Sequence, residues 1–149
     1  MGHTANTQPL VFVLVLVICV WIAVSLLSGY VSGWTRLGRR YACSGGFPGN
    51  TWSFQSGHMR WGANYHNCLT MGANSEGFYL SVLFLFRLGH PALFIPWREI
   101  SVTCKKVLWF KRVQLHLGRE LLIPLQISER SANKLKQAAG TSWPVESLA

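Results

Sequence analysis

The segment GHPALFIPWREI, residues 89–100, decides how the C-terminal two thirds of the chain is read. Its apolar run is short, rich in strand-forming residues and bracketed by two prolines. Proline has no N–H for a sheet ladder, so Pro96 is expected at an edge, a bulge or a strand end, and Pro91 where a strand begins. Leu93 to Ile95 are expected in a core, Trp97 over its rim, Arg98 and Glu99 at the exit to solvent, and Ile100 turning inward again. LLIPLQI, residues 121–127, repeats the arrangement around Pro124. Two proline-bearing edges resist edge-to-edge aggregation.

Outward from this segment the same texture recurs. TWSFQSGHMR, NCLTMGA, GFYLSVLFLF, ALFIPW, ISVTCKKVLW, KRVQLHL and ELLIPLQI read as seven strands, cut by Gly, Asn and Pro. In KRVQLHLG, Val113, Leu115 and Leu117 alternate with Gln114 and His116, the pattern of a half-buried antiparallel strand. NSEG and LGRE supply turns. The period then changes: SERSANKLKQAAG has Ser128 as N-cap, Glu129 in the first turn, lysines later and Gly140 as C-cap, which predicts one helix. The expected fold is mainly β, a seven-stranded antiparallel barrel or sandwich with a C-terminal helix over residues 51–140, and a flexible tail over 141–149.

The N-terminal third has a different texture. Leu10 to Leu27, LVFVLVLVICVWIAVSLL, is 18 residues without a charge, and the uncharged stretch runs on to Thr35. About 20 such residues cross a hydrocarbon core of roughly 30 Å, so a transmembrane helix is expected over 10–31. A cleaved signal peptide fits less well, because MGHTANTQP has no Lys or Arg, the apolar core is long, and no small-residue cleavage site follows. Asn6 stands where a myristoylation pattern needs Ser or Thr. Arg36, Arg39 and Arg40 follow the span while no Lys or Arg precedes it. The positive-inside rule therefore predicts a tail over 1–9 outside the cytoplasm and the C-terminal domain inside it. Cys43, Cys68 and Cys104 are then in a reducing compartment and need not pair. In WTRLGRRY, Trp34, Leu37 and Tyr41 share one helical face, which predicts an interfacial collar within a basic juxtamembrane segment and linker, residues 32–50.

The 14 Lys and Arg against 5 Glu leave a net charge of +9, all of it in residues 36–149. A basic domain tethered near a bilayer is expected to meet anionic headgroups at high effective concentration. Nucleic acid is not expected, since no recognition helix, zinc finger or stacking motif is present. KKVLWFKR is the patch suited to lipid: Lys105, Lys106, Lys111 and Arg112 surround Trp109 and Phe110, which at a hairpin tip could enter a headgroup layer. The alternative is an inward Trp109 with solvated charges. HMRWGANYHN offers Arg60, Trp61, Asn64, Tyr65, His66 and Asn67 as a loop for a protein partner, or as an ordinary loop over the barrel rim.

Catalysis finds little support. The chain has no Asp, and its glutamates are scattered, so paired-carboxylate and Asp-based triad chemistry has no basis in the sequence. His66 and Cys68 are two residues apart, which on a strand places them on one face without an activating helix N-terminus. The His and Cys spacings fit no metal motif, and no Gly-rich phosphate loop is present, so neither metal nor cofactor is expected.

The order of seven short strands and a single helix resembles the pleckstrin-homology-like superfold and its bacterial membrane-associated versions, over about residues 51–139. LTMGANSEGFYLS and LFIPWREI carry that resemblance. The whole chain, through SGWTRLGRRY, FQSGHMRWGANYHNCLTMGA and GHPALFIPWREI, also looks like a family of small bacterial membrane-anchored proteins of unassigned function. This implies a bacterial inner membrane as its location. The expected function is a single-pass adaptor whose basic domain docks on anionic membrane. The alternatives are an accessory or assembly subunit binding a protein partner and, more remotely, a thiol or metal enzyme.

Overall fold

A computed structural model describes residues 7–148; the first six residues of the expected tail, and Ala149, lie outside them. The apolar segment forms α1, Thr7–Val31. Ser32 and Gly33 break it, Gly33 adopting the left-handed region at φ 84°, and α2 follows at Trp34–Tyr41. The strands are β1 (Asn50–Met59), β2 (Asn64–Ala73), β3 (Gly77–Val82), β4 (Leu93–Pro96), β5 (Ile100–Val107), β6 (Phe110–Leu117), β7 (Ile123–Ser128) and β8 (Glu146–Leu148), with α3 (Glu129–Ala139) between the last two.

One eight-stranded sheet runs in the order β4-β3-β2-β1-β7-β6-β5-β8. The expectation of seven antiparallel strands is thus corrected in two respects. β8 forms within the segment read as a tail, and it pairs parallel to β5, Thr103 opposite Ser147, so the sheet is mixed. Three residues between charged and turn positions are too short a run to announce a strand; β8 exists because the edge of β5 is there to receive it. The sheet curls. Leu69, Phe78, Leu80, Leu93, Ile95, Leu115, Leu117, Ile123 and Leu125, drawn from five of the strands, all fall in one buried cluster, and the Trp97 ring after β4 packs at a tilt against Trp143 before β8, 5.3 Å between centroids.

The opening segment behaves as its prolines require. β4 is the edge strand and Pro96 its last residue, with Leu93 and Ile95 fully buried and Trp97 in a 3-10 turn beneath. Pro124 differs from expectation, because β7 is an interior strand. It is tolerated because β1 reaches β7 only at Leu125 and Gln126, leaving Pro124 beyond the end of β1. The run GFYLSVLFLF also ends sooner than read: β3 stops at Val82, and Phe84–Phe86 form a 3-10 turn aimed outward. A run that is apolar apart from Ser81 carries no alternation that could mark where a strand ends.

The two other helices close the core. Ser128 caps α3, its Oγ accepting from the Ser131 N–H at 3.2 Å, and Ala132, Leu135 and Ala139 pack inward. α2 buries Trp34, Leu37 and Tyr41, the face identified from spacing. That face enters the domain and not a headgroup layer, which corrects the expected collar: the Trp34 Nε1–H donates to the Pro91 carbonyl at 2.8 Å, and Tyr41 donates to Glu99 at 2.5 Å.

Candidate functional site

The chemistry-bearing residues gather at two opposite ends of the sheet. At one end the α1–α2 junction is locked into the domain. Gly33 sits so close to Ile123 that an added Cβ would lie 2.8 Å from its Cδ1, and Gly29 similarly meets the Gly89 carbonyl at 2.8 Å. Beneath them Tyr65 Oη contacts Ser32 Oγ at 3.1 Å and His90 Nε2 at 2.9 Å. His90 Nδ1 lies 3.2 Å from the Leu88 carbonyl, which can only accept. The carbonyl requires a proton on Nδ1, while Nε2 faces the Tyr65 Oη, which donates to Ser32 Oγ. Burial holds the His90 ring below its ordinary value and pushes the Tyr65 phenol up. Ser32 and His90 are essentially without solvent contact, so this group clamps elements together and offers no substrate access.

Three surface features surround the clamp. Arg36, Arg39 and Arg40 are exposed along α2, and Arg40 pairs with Glu120 at 2.7 Å. The β1–β2 connection shrinks to Arg60–Ala63, with Trp61 at φ 59° and the Arg60 guanidinium 5.6 Å from its ring. Arg60 and Trp61 line a shallow depression with Tyr30, Val31, Gly33 and Arg36. The third feature is the β3–β4 connection, residues 83–92, which packs along the lower part of α1: Phe86 lies 6.2 Å from Trp21, and Gly89 faces Ser25 and Leu26.

The residues grouped as a protein-binding loop are therefore divided. Arg60 and Trp61 form the turn, whereas Asn64, Tyr65, His66 and Asn67 belong to β2. Tyr65 faces inward to the clamp; Asn64 and His66 contact each other at 2.6 Å, and the Asn67 N–H donates to Ser56. Cys68 is half-buried, and burial pushes its thiol up, away from the thiolate a nucleophile needs. Cys19, Cys43, Cys68 and Cys104 are all unpaired. Among the described residues no three His, Cys, Asp or Glu side chains converge as metal ligands.

The other end carries the KKVLWFKR hairpin. β5 and β6 pair from Ile100–Leu117 to Val107–Phe110, so the turn is Leu108–Trp109. Leu108, Trp109 and Phe110 are 90, 94 and 74% exposed. Leu108 sits at φ 55°, a left-handed conformation that favours Gly in two-residue hairpin turns. Lys105, Lys106, Lys111 and Arg112 occupy two facing pairs, Lys105 opposite Arg112 and Lys106 opposite Lys111. Like charges directly opposite oppose pairing. Among the described residues only Lys111 of the four meets a carboxylate, Glu129 at 3.8 Å. The far ends of the same strands, Ile100 and Leu117, adjoin Glu99 and Gly118, both of which contact Tyr41 of α2.

Position was what the sequence could not supply. The roles of Ser32, Tyr65 and His90 had no local signal, since their spacing of 33 and 25 residues matches no motif. In comparisons with known proteins, no family model, curated protein or solved structure matches the chain.

Proposed function

We propose that this is a single-pass membrane-anchored binding protein whose pleckstrin-like β domain presents a basic aromatic hairpin to a partner at the membrane. α1 has 25 residues and a mean hydropathy of 3.3 in its most apolar window. At 1.5 Å per residue it is about 37 Å long, enough to span a bilayer. Its lower end supports an anchor over a cleaved leader, because Ser25, Gly29 and Ser32 are buried and removal would uncover the clamp. Arg36, Arg39 and Arg40 support a cytoplasmic domain. Strands β1 to β7 followed by α3 support the pleckstrin-like reading, from which β8 departs.

The observation that carries the function is the opposition of the two ends. The clamp ties α1 to the end bearing α2, while the hairpin tip projects from the other. Three exposed apolar side chains in a ring of cations suit a protein surface that is acidic with an apolar pocket. A second reading, docking on anionic lipid, draws on the same composition and requires the tip to reach a bilayer.

One experiment separates them. The full chain is reconstituted in nanodiscs of neutral or anionic lipid, one sample with an environment-sensitive fluorophore replacing Trp109 and an unlabelled one titrated with an acidic peptide containing Phe. Partner binding requires water-like emission in both lipids, and peptide binding that weakens with salt and is lost in Lys105→Glu/Lys106→Glu. Blue-shifted emission in anionic discs alone, without peptide binding, establishes lipid docking instead.

A further inference from the structure

We infer that the β3–β4 connection is a second membrane element, a wedge that enters the interfacial layer of the bilayer beside α1 and binds lipid. The inference rests on the reading of α1 as a membrane span. Phe84, Leu85, Phe86 and Leu88 are 76, 52, 37 and 46% exposed, four large apolar side chains within five residues of an outward-turned segment. Scattered apolar residues are ordinary on a surface; a contiguous set continuous with an exposed apolar helix is not.

Depth follows from length. The wedge meets α1 from Trp21 downward, through the Phe86 contact at Trp21 and the Gly89 contacts at Leu26 and Gly29. Above that contact the described residues leave Thr7 to Val20, roughly 21 Å of helix whose apolar run begins only at Leu10, too short to cross a hydrocarbon core of about 30 Å. A span of about 20 residues beginning between Thr7 and Leu10 reaches down to between Leu26 and Gly29. The tip of the wedge at Phe86 then lies roughly 8–12 Å above the lower boundary, near the depth at which interfacial elements bury their apolar face.

The backbone of the wedge suits that environment. The N–H groups of Leu83, Phe86, Arg87 and His90 donate to the carbonyls of Cys68, Leu83, Phe84 and Arg87, so the segment carries much of its own hydrogen bonding into a layer poor in water. Ser25 and Gly29 are small enough to let the loop backbone lie against the helix. Arg87, exposed in the same loop, can extend its guanidinium to lipid phosphates while its stem stays in the apolar layer. Arg60 and Trp61, beside the end of α1, extend this contact with a residue type that favours the interface.

The test uses the full chain in nanodiscs of neutral lipid carrying quenchers on both the upper and the lower acyl chain. A fluorescent amino acid replaces Leu85, Val17 on α1, or Ser101, exposed on β5 outside the wedge, in separate samples. Quenching at positions 17 and 85 but not at 101 is expected. Quenching at 17 with position 85 as water-accessible as 101 overturns the wedge and leaves the anchor intact. No quenching at 17 overturns the anchor, and the wedge with it. Leu85 and Val17 are both largely exposed, so labelling perturbs no core contact.

Discussion

Two residues at the junction carry separable consequences. Gly33 combines a left-handed φ of 84° with a space that Ile123 already fills. Gly33→Ala is expected to cost about 2 kcal/mol, from the strain of an L-residue in that region together with the overlap. Chemical denaturation of the full chain in detergent measures it. His90 has a folded value depressed by burial, so its neutral form is the one the clamp accepts. Its contribution is complete above the unfolded value near 6.5 and is lost as pH falls through that value toward the lower folded one. Thermal unfolding in detergent should therefore show stability falling as pH drops below about 6.5, and His90→Gln should flatten that slope. An unchanged slope in the variant would place the proton uptake elsewhere.

At the scale of elements, the β5–β6 hairpin and α2 respond to opposite demands. α2 is amphipathic because its apolar face seals the core, and its spacing alone revealed which face that is. The hairpin is locally unfavourable: it places Leu108 at positive φ, exposes its three tip residues and stacks cations across the ladder. Strain of this kind persists where function keeps it. Leu108→Gly is expected to stabilise the domain by about 1 kcal/mol, since Gly adopts positive φ without steric cost, while weakening capture of the acidic peptide. A variant that binds the peptide as well as the parent chain would show that the leucine side chain has no part in binding.

For the whole molecule, the proposed membrane orientation has a direct readout. A C-terminal tag should survive external protease in right-side-out vesicles and be digested after lysis; digestion in intact vesicles would reverse the topology. The apolar helix, the β texture, the α3 caps and the grouping of Trp34, Leu37 and Tyr41 on one face of α2 could all be read from the chain, because each depends on periodicity or capping among near neighbours, whereas the burial of that face in the domain could not. The end of β3 could not, since a ten-residue run that is apolar apart from Ser81 fits a longer strand equally well until α1 provides a surface for Phe86. β8 and the clamp of Ser32, Tyr65 and His90 arise from segments 25 to 45 residues apart. The composition of the hairpin was likewise legible, but its place at the end opposite the α1–α2 junction was not. Local sequence determines what each element can bury or expose; only the curl of the sheet around one core determines which of those surfaces share an end of the molecule.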